Sequence, residues 1–506
     1  MWKSAKARST NNEDWNKDMA KIEAAMDAGK AELSEIADVI IVGLGGAGAS
    51  AAIAAAEAGA DVVVIERTTG GGGSTAVSGG IIYLGGGTSP QVANGFSDTP
   101  NNMARYLKAA QPRANADKID LYCQDSLAHY DWLISLGMPF NDRFYPEKHF
   151  QPMTDDTLLE SGNEAAYPFP DVANPMPRGH KPGAGYAGHI VFDHLLARVN
   201  ALGVRIIPDA TVNALVRNES GAVVGVQYRS EGRNAVIGAR KAVLLSTGGA
   251  EWNPDIAAAS LLSREGVVPL GVPTADGSGI ALGESVGAAV VNLDQCIVTS
   301  PFYPPESLIK GILVNVEGKR FVAEDVYHSR SSHAVLDQPG GKAYLICDNR
   351  NFGRPLLGEL HAEVKHEVVG AWDNIPEMAM DLGMSADVLE KTITDYNHYA
   401  ANGKDEEFHK QPKWLDPILE VPFGAIDCSV DSAYYAGLSL GGLDTDVDGQ
   451  VLRPDGSAVP GLFAAGQMAP SIAIEGAAYA SGLLVGTATF FGRRAGAAVA
   501  RQTSRL

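Results

Sequence analysis

Residues 37–88 read ADVIIVGLGGAGASAAIAAAEAGADVVVIERTTGGGGSTAVSGGIIYLGGGT. An apolar run, Asp38 to Val42, leads into Gly43-Leu44-Gly45-Gly46-Ala47-Gly48. An alanine-rich stretch follows, and a second apolar run, Asp61 to Ile65, ends at Glu66. That order predicts a strand, a glycine turn, a helix and a parallel strand. Gly43, Gly45, Ala47 and Gly48 are small enough for the backbone to turn tightly and approach a pyrophosphate at the helix N-terminus. Glu66 falls 23 residues after Gly43, about where an acid grips a ribose 2′-hydroxyl. A glycine motif alone is weak evidence; strand, helix, strand and acid at these spacings together predict a dinucleotide site.

The chain has 506 residues, enough for two or three domains and a large buried core. Hydrophobic residues make up 45% and charged residues 20%, which fits a soluble globular protein. A formal charge of −20 argues against a nucleic-acid partner and against docking on anionic lipid. Cys123, Cys296, Cys347 and Cys428 are far apart and form no CxxC pair, so reduced structural thiols are expected rather than disulfides or an iron–sulfur site. No metal-ligand pattern stands out. The first residues carry no apolar signal segment, and the longest apolar stretch, Gly476 to Phe491, is too short and too glycine-broken to span a bilayer. The expected location is the cytoplasm.

Outward from the nucleotide motif, residues 1–36 are polar, with Trp15, Met19, Ile22 and Met26 at helical spacing, which predicts an appended N-terminal helix. After Glu66 the loop Arg67 to Gly80 is rich in glycine and small hydroxyls and suits a large flat polar ligand. Residues 100–140 and His189 to Leu202 read as helices. Residues 161–187 read as an irregular excursion, with a lid over a pocket as one role for it; Arg178 and His180 are expected to tie it down. Lys241 to Leu245 reads as a buried strand ending in Ser246-Thr247-Gly248-Gly249. Past Asn292 the composition shifts to more aromatics and longer loops, with a helix near Ser385–Ala401 carrying Val388, Ile393 and Tyr396 on one face. Nucleotide-domain style returns at Gly437, and the last helix runs from about Ser481 to Arg501. The expected fold class is α/β. A Rossmann-like, glutathione reductase-like FAD domain (37–294 and 436–506) is interrupted by a smaller α+β catalytic domain (295–435).

These pieces in this order resemble the flavoproteins of the fumarate reductase and succinate dehydrogenase superfamily. ERTTGGGGSTAVSGG resembles their second FAD loop, and LSTGG, TADGSGIALG, GGL and PGLFAAGQ resemble later FAD segments. The resemblance implies FAD contacts at Arg67, Gly72, Gly73, Ser74, Ser78, Gly79, Gly80, Val212, Thr247, Gly248, Asp276, Gly277 and Gly466. The N-terminus of the last helix, Gly482-Leu483-Leu484, would lie by the flavin pyrimidine, its positive end stabilising the reduced anionic form. Gly73 stands where succinate dehydrogenases carry the histidine that ties FAD covalently, so noncovalent FAD is expected. Three positions depart from the dicarboxylate enzymes. A substrate-binding histidine is replaced by Gly437, and a carboxylate-gripping arginine by Tyr479. Gly318-Lys319-Arg320-Phe321-Val322-Ala323-Glu324 leads to Tyr327 and His328 rather than to a catalytic arginine, with Arg330 slightly beyond. A dicarboxylate needs fixed cations; phenols and a hydroxyl suit an apolar ketone.

GGIIYLGGGT, GILVN with EDVY, and YASG with FFGRRAG are similar to the 3-ketosteroid Δ4-(5α)-dehydrogenases. VTSPFYPPESLI (298–309) departs from that pattern. The resemblance implies Tyr327, Tyr479 and Ser481 as site residues. Tyr479 would polarise the ketone, and Ser481 with Tyr327 would carry away the proton alpha to it, while a hydride goes to flavin N5. The two tyrosines could exchange roles. A Δ1-dehydrogenase, another dehydrogenase of a cyclic ketone, a dicarboxylate enzyme using Arg320 or Arg330, and a non-catalytic dinucleotide-fold binding protein are the alternatives. Electrons would leave to a separate acceptor, as neither an NAD site nor an iron–sulfur ligand set is visible.

Overall fold

A computed structural model describes residues 21–30, 33–355 and 366–506. Strand β1 (Glu35–Val42) feeds helix α1 (Gly46–Glu57), which returns to strand β2 (Val62–Ile65). β1 and β2 are parallel, in register from Val39↔Val62 to Val42↔Ile65. β3 (Arg205–Ile207) adds beside β2 in parallel. β4 (Ala210–Arg217), β5 (Val223–Ser230) and β6 (Arg233–Leu245) form an antiparallel meander. It brings the end of β6 back alongside β1, and β7 (Ala458–Ala464) pairs in parallel on the other side of that end.

Ile65, Val42, Leu245 and Ala464 therefore end four parallel strands in one row. Both faces of this row are covered, which is why the strands are apolar runs rather than alternating ones. Val39, Ile41, Val62, Val64, Leu244 and Phe463 face one core, with α1 and the helix Gly188–Ala201. Ile40, Val42, Val63, Ile65, Val243 and Leu462 face the other. The final helix, α2 (Leu483–Ala500), lies directly on α1. A Cβ on Gly492 would come within 2.4 Å of the Ala47 carbonyl oxygen, and one on Gly496 within 2.2 Å of that of Ala51.

Between β6 and β7 a second sheet of four antiparallel strands forms in the order Ile312–Asn315, Ala343–Cys347, Phe423–Asp427, Glu367–Trp372. Helix Ala386–Ala401 closes it with Leu389, Ile393 and Tyr396. Leu389, not Val388, is the third buried residue of that face. The strand that enters this part, Cys296–Thr299, and the one that leaves it, Tyr435–Ser439, pair antiparallel with each other.

One expectation changes. Trp15 and Met19 lie outside the described residues. Met26, however, sits in a short strand, Met26–Asp27, parallel to Val216–Arg217, and not in a helix. The exposed edge of β4 offers backbone partners, and Glu23 N–H also donates to Asn213 O at 2.7 Å. Residues 161–187 are largely irregular, with the short strand Gly179–His180 anchored antiparallel to Ile82–Tyr83. Arg178 is fully buried and doubly bonded to Asp98 at 2.9 Å, and His180 lies 2.8 Å from the Thr88 hydroxyl. Among the described residues no helix is long and apolar enough to cross a membrane.

Replacing Gly492 by leucine forces α2 off α1. The expected cost is on the order of 1–3 kcal/mol of overpacking, read as a lower thermal midpoint together with a reduced cofactor content of the purified protein.

Candidate functional site

Outside the row of strand ends lies a cavity of about 1250 Å³, counting its open mouth. Carboxyl ends of parallel strands are where open α/β sheets bind ligands.

The wall begins at the β1–α1 turn. Gly43 has φ +98°, and a Cβ there would meet Ser246 O at 2.5 Å. A Cβ on Gly48 would sit 1.9 Å from Gly43 O, so the turn folds tightly against itself. Gly45, Gly46 and Ala47 line the cavity. The α1 N-cap, Gly45, carries no capping side chain, which leaves first-turn amides and the helix dipole for an anion. Glu66 holds the next position: Oε2 accepts from Leu44 N at 2.7 Å, and Oε1 from Thr68 N at 2.8 Å and Thr68 Oγ1 at 2.7 Å. A carboxylate has about four acceptor positions, so one remains for a ribose hydroxyl.

Of the residues expected to bind the cofactor, Gly43, Gly45, Ala47, Glu66, Arg67, Gly73, Ser74, Ser78, Val212, Thr247, Gly248, Gly466 and Leu484 line the cavity. The others stand behind it. Gly48 packs inside the turn. Gly72 N donates to Leu44 O at 2.7 Å, and Asp276 Oδ2 lies 2.6 Å from Arg67 Nη1. Gly277 caps the helix Ser278–Glu284 in the left-handed region, as Gly482 caps α2. Gly80 presses on Ala187, and Leu483 is buried among apolar side chains. Leu44, Ser246 and Gln467, which lie in the quoted motifs but were given no contact of their own, also line the wall, as do Val485 and Ala488. Gln467 directly follows Gly466, and Val485 and Ala488 follow Leu484 on one helix, signals that could have found them.

Tyr479 reaches the cavity too. Its oxygen accepts from the Leu484 N–H at 3.4 Å, at the start of α2. Burial pushes its phenol up to about 12, against the pull of the Leu484 and Gly482 amides. Tyr327 caps the helix His328–Leu336, and its hydroxyl donates to Ser481 Oγ at 2.6 Å. Burial holds the Tyr327 phenol well above its ordinary value, with the Ser481 bond opposing. His328 packs on the Tyr327 ring with centroids 3.8 Å apart; burial and nearby Lys148 push it down to about 3, so it stays neutral. Tyr479 thus lines the cavity, while Tyr327 and Ser481 form a hydroxyl pair that is not part of its lining.

The residues considered for a dicarboxylate site make other contacts. A Cβ on Gly437 would meet Leu262 at 2.4 Å. Arg320 is buried, doubly bonded to Glu324 at 2.9 and 2.8 Å, paired with Asp405 at 2.7 Å, and lies over the rings of Tyr396 and Phe408. Arg330 donates to Tyr167 O at 2.7 Å. Among the described residues no cluster of potential metal ligands occurs.

Comparison with known proteins matches the FAD binding domain family over residues 38–482. The chain is 31% identical over 507 residues to the 3-oxo-5-alpha-steroid 4-dehydrogenase of Comamonas testosteroni, covering 87% of this chain and 95% of that protein. It is 26% identical over 494 residues to the fumarate reductase (cytochrome) of Shewanella frigidimarina, covering 92% of this chain and 78% of that one. Among solved structures, the 3-ketosteroid-Δ4-(5α)-dehydrogenase of Rhodococcus jostii RHA1, crystallised with 4-androstene-3,17-dione, matches with a TM-score of 0.88 at 36% identity, over 95% of this chain and 100% of that one. With its dinucleotide cavity, its phenolic end and these matches, the chain belongs to the FAD-dependent 3-ketosteroid Δ4-dehydrogenase family of FAD-binding-domain flavoproteins.

Proposed function

We propose that the protein dehydrogenates a saturated 3-ketosteroid to the C4–C5 enone, with Tyr479, Tyr327 and Ser481 as its catalytic residues. The observation that carries the reading is the Tyr327–Ser481 hydroxyl pair, 2.6 Å apart, beside the cavity-lining Tyr479. Bound in the cavity, FAD supplies the hydride-accepting chemistry. Tyr479 is protonated at neutral pH, and an oxygen that already accepts an amide N–H makes its own O–H a better donor. That O–H points its charge at the C3 ketone oxygen, where negative charge develops as the neighbouring proton leaves. The C4 proton passes to the Tyr327–Ser481 pair, in which ionised Tyr327 is the base, and goes on from the pair to solvent. Hydroxyls rather than a bidentate cation at Tyr327, Ser481 and Tyr479 favour an uncharged ketone over a dicarboxylate.

Residues 37–294 and 436–506 hold the cofactor, and 295–435 supplies Tyr327 and encloses the substrate. In support, no residue of 295–435 lines the cavity among the described residues. FAD is noncovalent: Gly73 lines the wall and offers no nucleophile. Electrons leave to a separate acceptor, and the protein acts in the cytoplasm.

Three outcomes follow. Purified protein with an artificial electron acceptor is expected to convert a 5α-saturated 3-ketosteroid to a product with enone absorbance and C4–C5 unsaturation, with no turnover of succinate. A C1–C2 product or an inert steroid would overturn the reading. Acid precipitation should release the yellow colour into the supernatant.

Because burial raises the Tyr327 phenol, its neutral form dominates at pH 7, and its ionised fraction grows about tenfold per pH unit below its pKa. Flavin reduction in a single turnover should therefore accelerate from pH 7 through 9 without levelling, and Tyr327→Phe should flatten that slope. A wild-type plateau below pH 8 would assign the proton to another base. Tyr479→Phe should slow reduction about 10²–10³-fold, the usual loss on removing one oxyanion donor.

A further inference from the structure

Behind the cavity wall sits a carboxyl that the proposed chemistry does not use. Glu251 follows the Gly248-Gly249 turn at the end of β6 and is 1% exposed. Its Oε2 accepts from Gln467 Nε2 at 2.9 Å and from Ser439 Oγ at 3.0 Å. The Ser439 hydroxyl is itself held in place, accepting from Ala250 N at 2.8 Å. Gly249 makes the approach feasible: a Cβ there would fall 2.3 Å from Gln467 Nε2 and 2.4 Å from Glu251 Oε2.

Gln467 Nε2 also donates to Ser439 O at 3.1 Å. A carboxamide nitrogen has two hydrogens, and the carboxyl and the carbonyl take both. The amide cannot be turned round, because its oxygen would then face two acceptors. Gln467 lines the cavity, and among the described residues its Oε1 has no hydrogen-bond donor. The atom left for a ligand is therefore an acceptor. FAD brings sugar and ribityl hydroxyls, which are donors. The arrangement survives protonation of Glu251, whose carboxyl is pushed up to about 7 by burial, since a proton on the unpartnered Oε1 leaves Oε2 accepting.

We propose that Glu251 is a positioning residue for the cofactor: it locks the Gln467 carboxamide so that Oε1 accepts a hydroxyl of FAD. The inference concerns FAD and holds whichever ketone the enzyme oxidises.

The test is FAD affinity of the apoprotein, read by quenching of flavin fluorescence, with circular dichroism as the check on folding. Glu251→Ala should weaken FAD about tenfold, the scale of one lost hydrogen bond with its partner set loose. Glu251→Gln, whose carboxamide oxygen can accept the same N–H, should stay within about threefold. Gln467→Met should lose at least as much as Glu251→Ala, and the double variant should lose no more than Gln467→Met alone, the non-additivity expected when one residue acts through the other. Wild-type affinity in Glu251→Ala, or additive losses in the double variant, would overturn the proposal. If Glu251→Ala does not fold, wild-type affinity in Gln467→Met overturns it equally.

Discussion

The contact between the first helix and the last sets the position of nearly everything in the site. α2 touches α1 through Gly492 on Ala47 and Gly496 on Ala51, at separations that admit no side chain. This contact fixes how far the N-terminus of α2 projects over the ends of the parallel strands. That N-terminus carries Leu484, Val485 and Ala488 into the cavity and places the amide that bonds the Tyr479 phenol. The same small residues on α1 let its own N-terminus approach a pyrophosphate. One stripe of glycine and alanine thus serves both the anionic and the reactive ends of a single cofactor site.

The second constraint is electrostatic. Burying an unpaired charge is costly, so buried charges must be paired. Arg320 is matched by Glu324 and Asp405, and Arg178 by Asp98. Both arginines are spent on architecture, holding the loop after Ile312–Asn315 and the 161–187 segment. Against Tyr327 itself stand the Ser481 hydroxyl and the neutral His328 imidazole.

The nucleotide half was legible in the sequence because its constraints are local. Glycine spacing, a strand on each side and an acid at the right distance survive without knowledge of the rest of the chain. The Tyr327, Tyr479 and Ser481 positions were singled out through family motifs, and the structure joins Tyr327 to Ser481. Two kinds of feature were not legible. Met26 sits at helical spacing with Ile22, but a pattern of so few positions cannot be told from a strand completing an open sheet edge. Glu251 and Gln467 are 216 residues apart in the chain, and nothing local to either marks a carboxyl that orients an amide. Tertiary contacts decide such pairs.

The meeting of Tyr327 with Ser481 shows how distant parts of the chain are held in register. One comes from the segment between β6 and β7, the other from the last stretch before α2. The paired strands Cys296–Thr299 and Tyr435–Ser439 already limit how the two parts can shift. A third segment finishes the alignment: Asn163 Oδ1 accepts from Tyr327 N at 2.8 Å, and Ser161 O accepts from Ser481 N at 2.7 Å. Gly162 between them is wedged against Ala480 and Tyr106, and Tyr106 in turn receives Asn163 N at 3.0 Å. Three residues of the irregular segment thereby set the spacing of two hydroxyls that lie 154 positions apart. An irregular segment can act as a ruler where it bonds both parts it spaces, and the buried Arg178–Asp98 pair ties the same segment to the body.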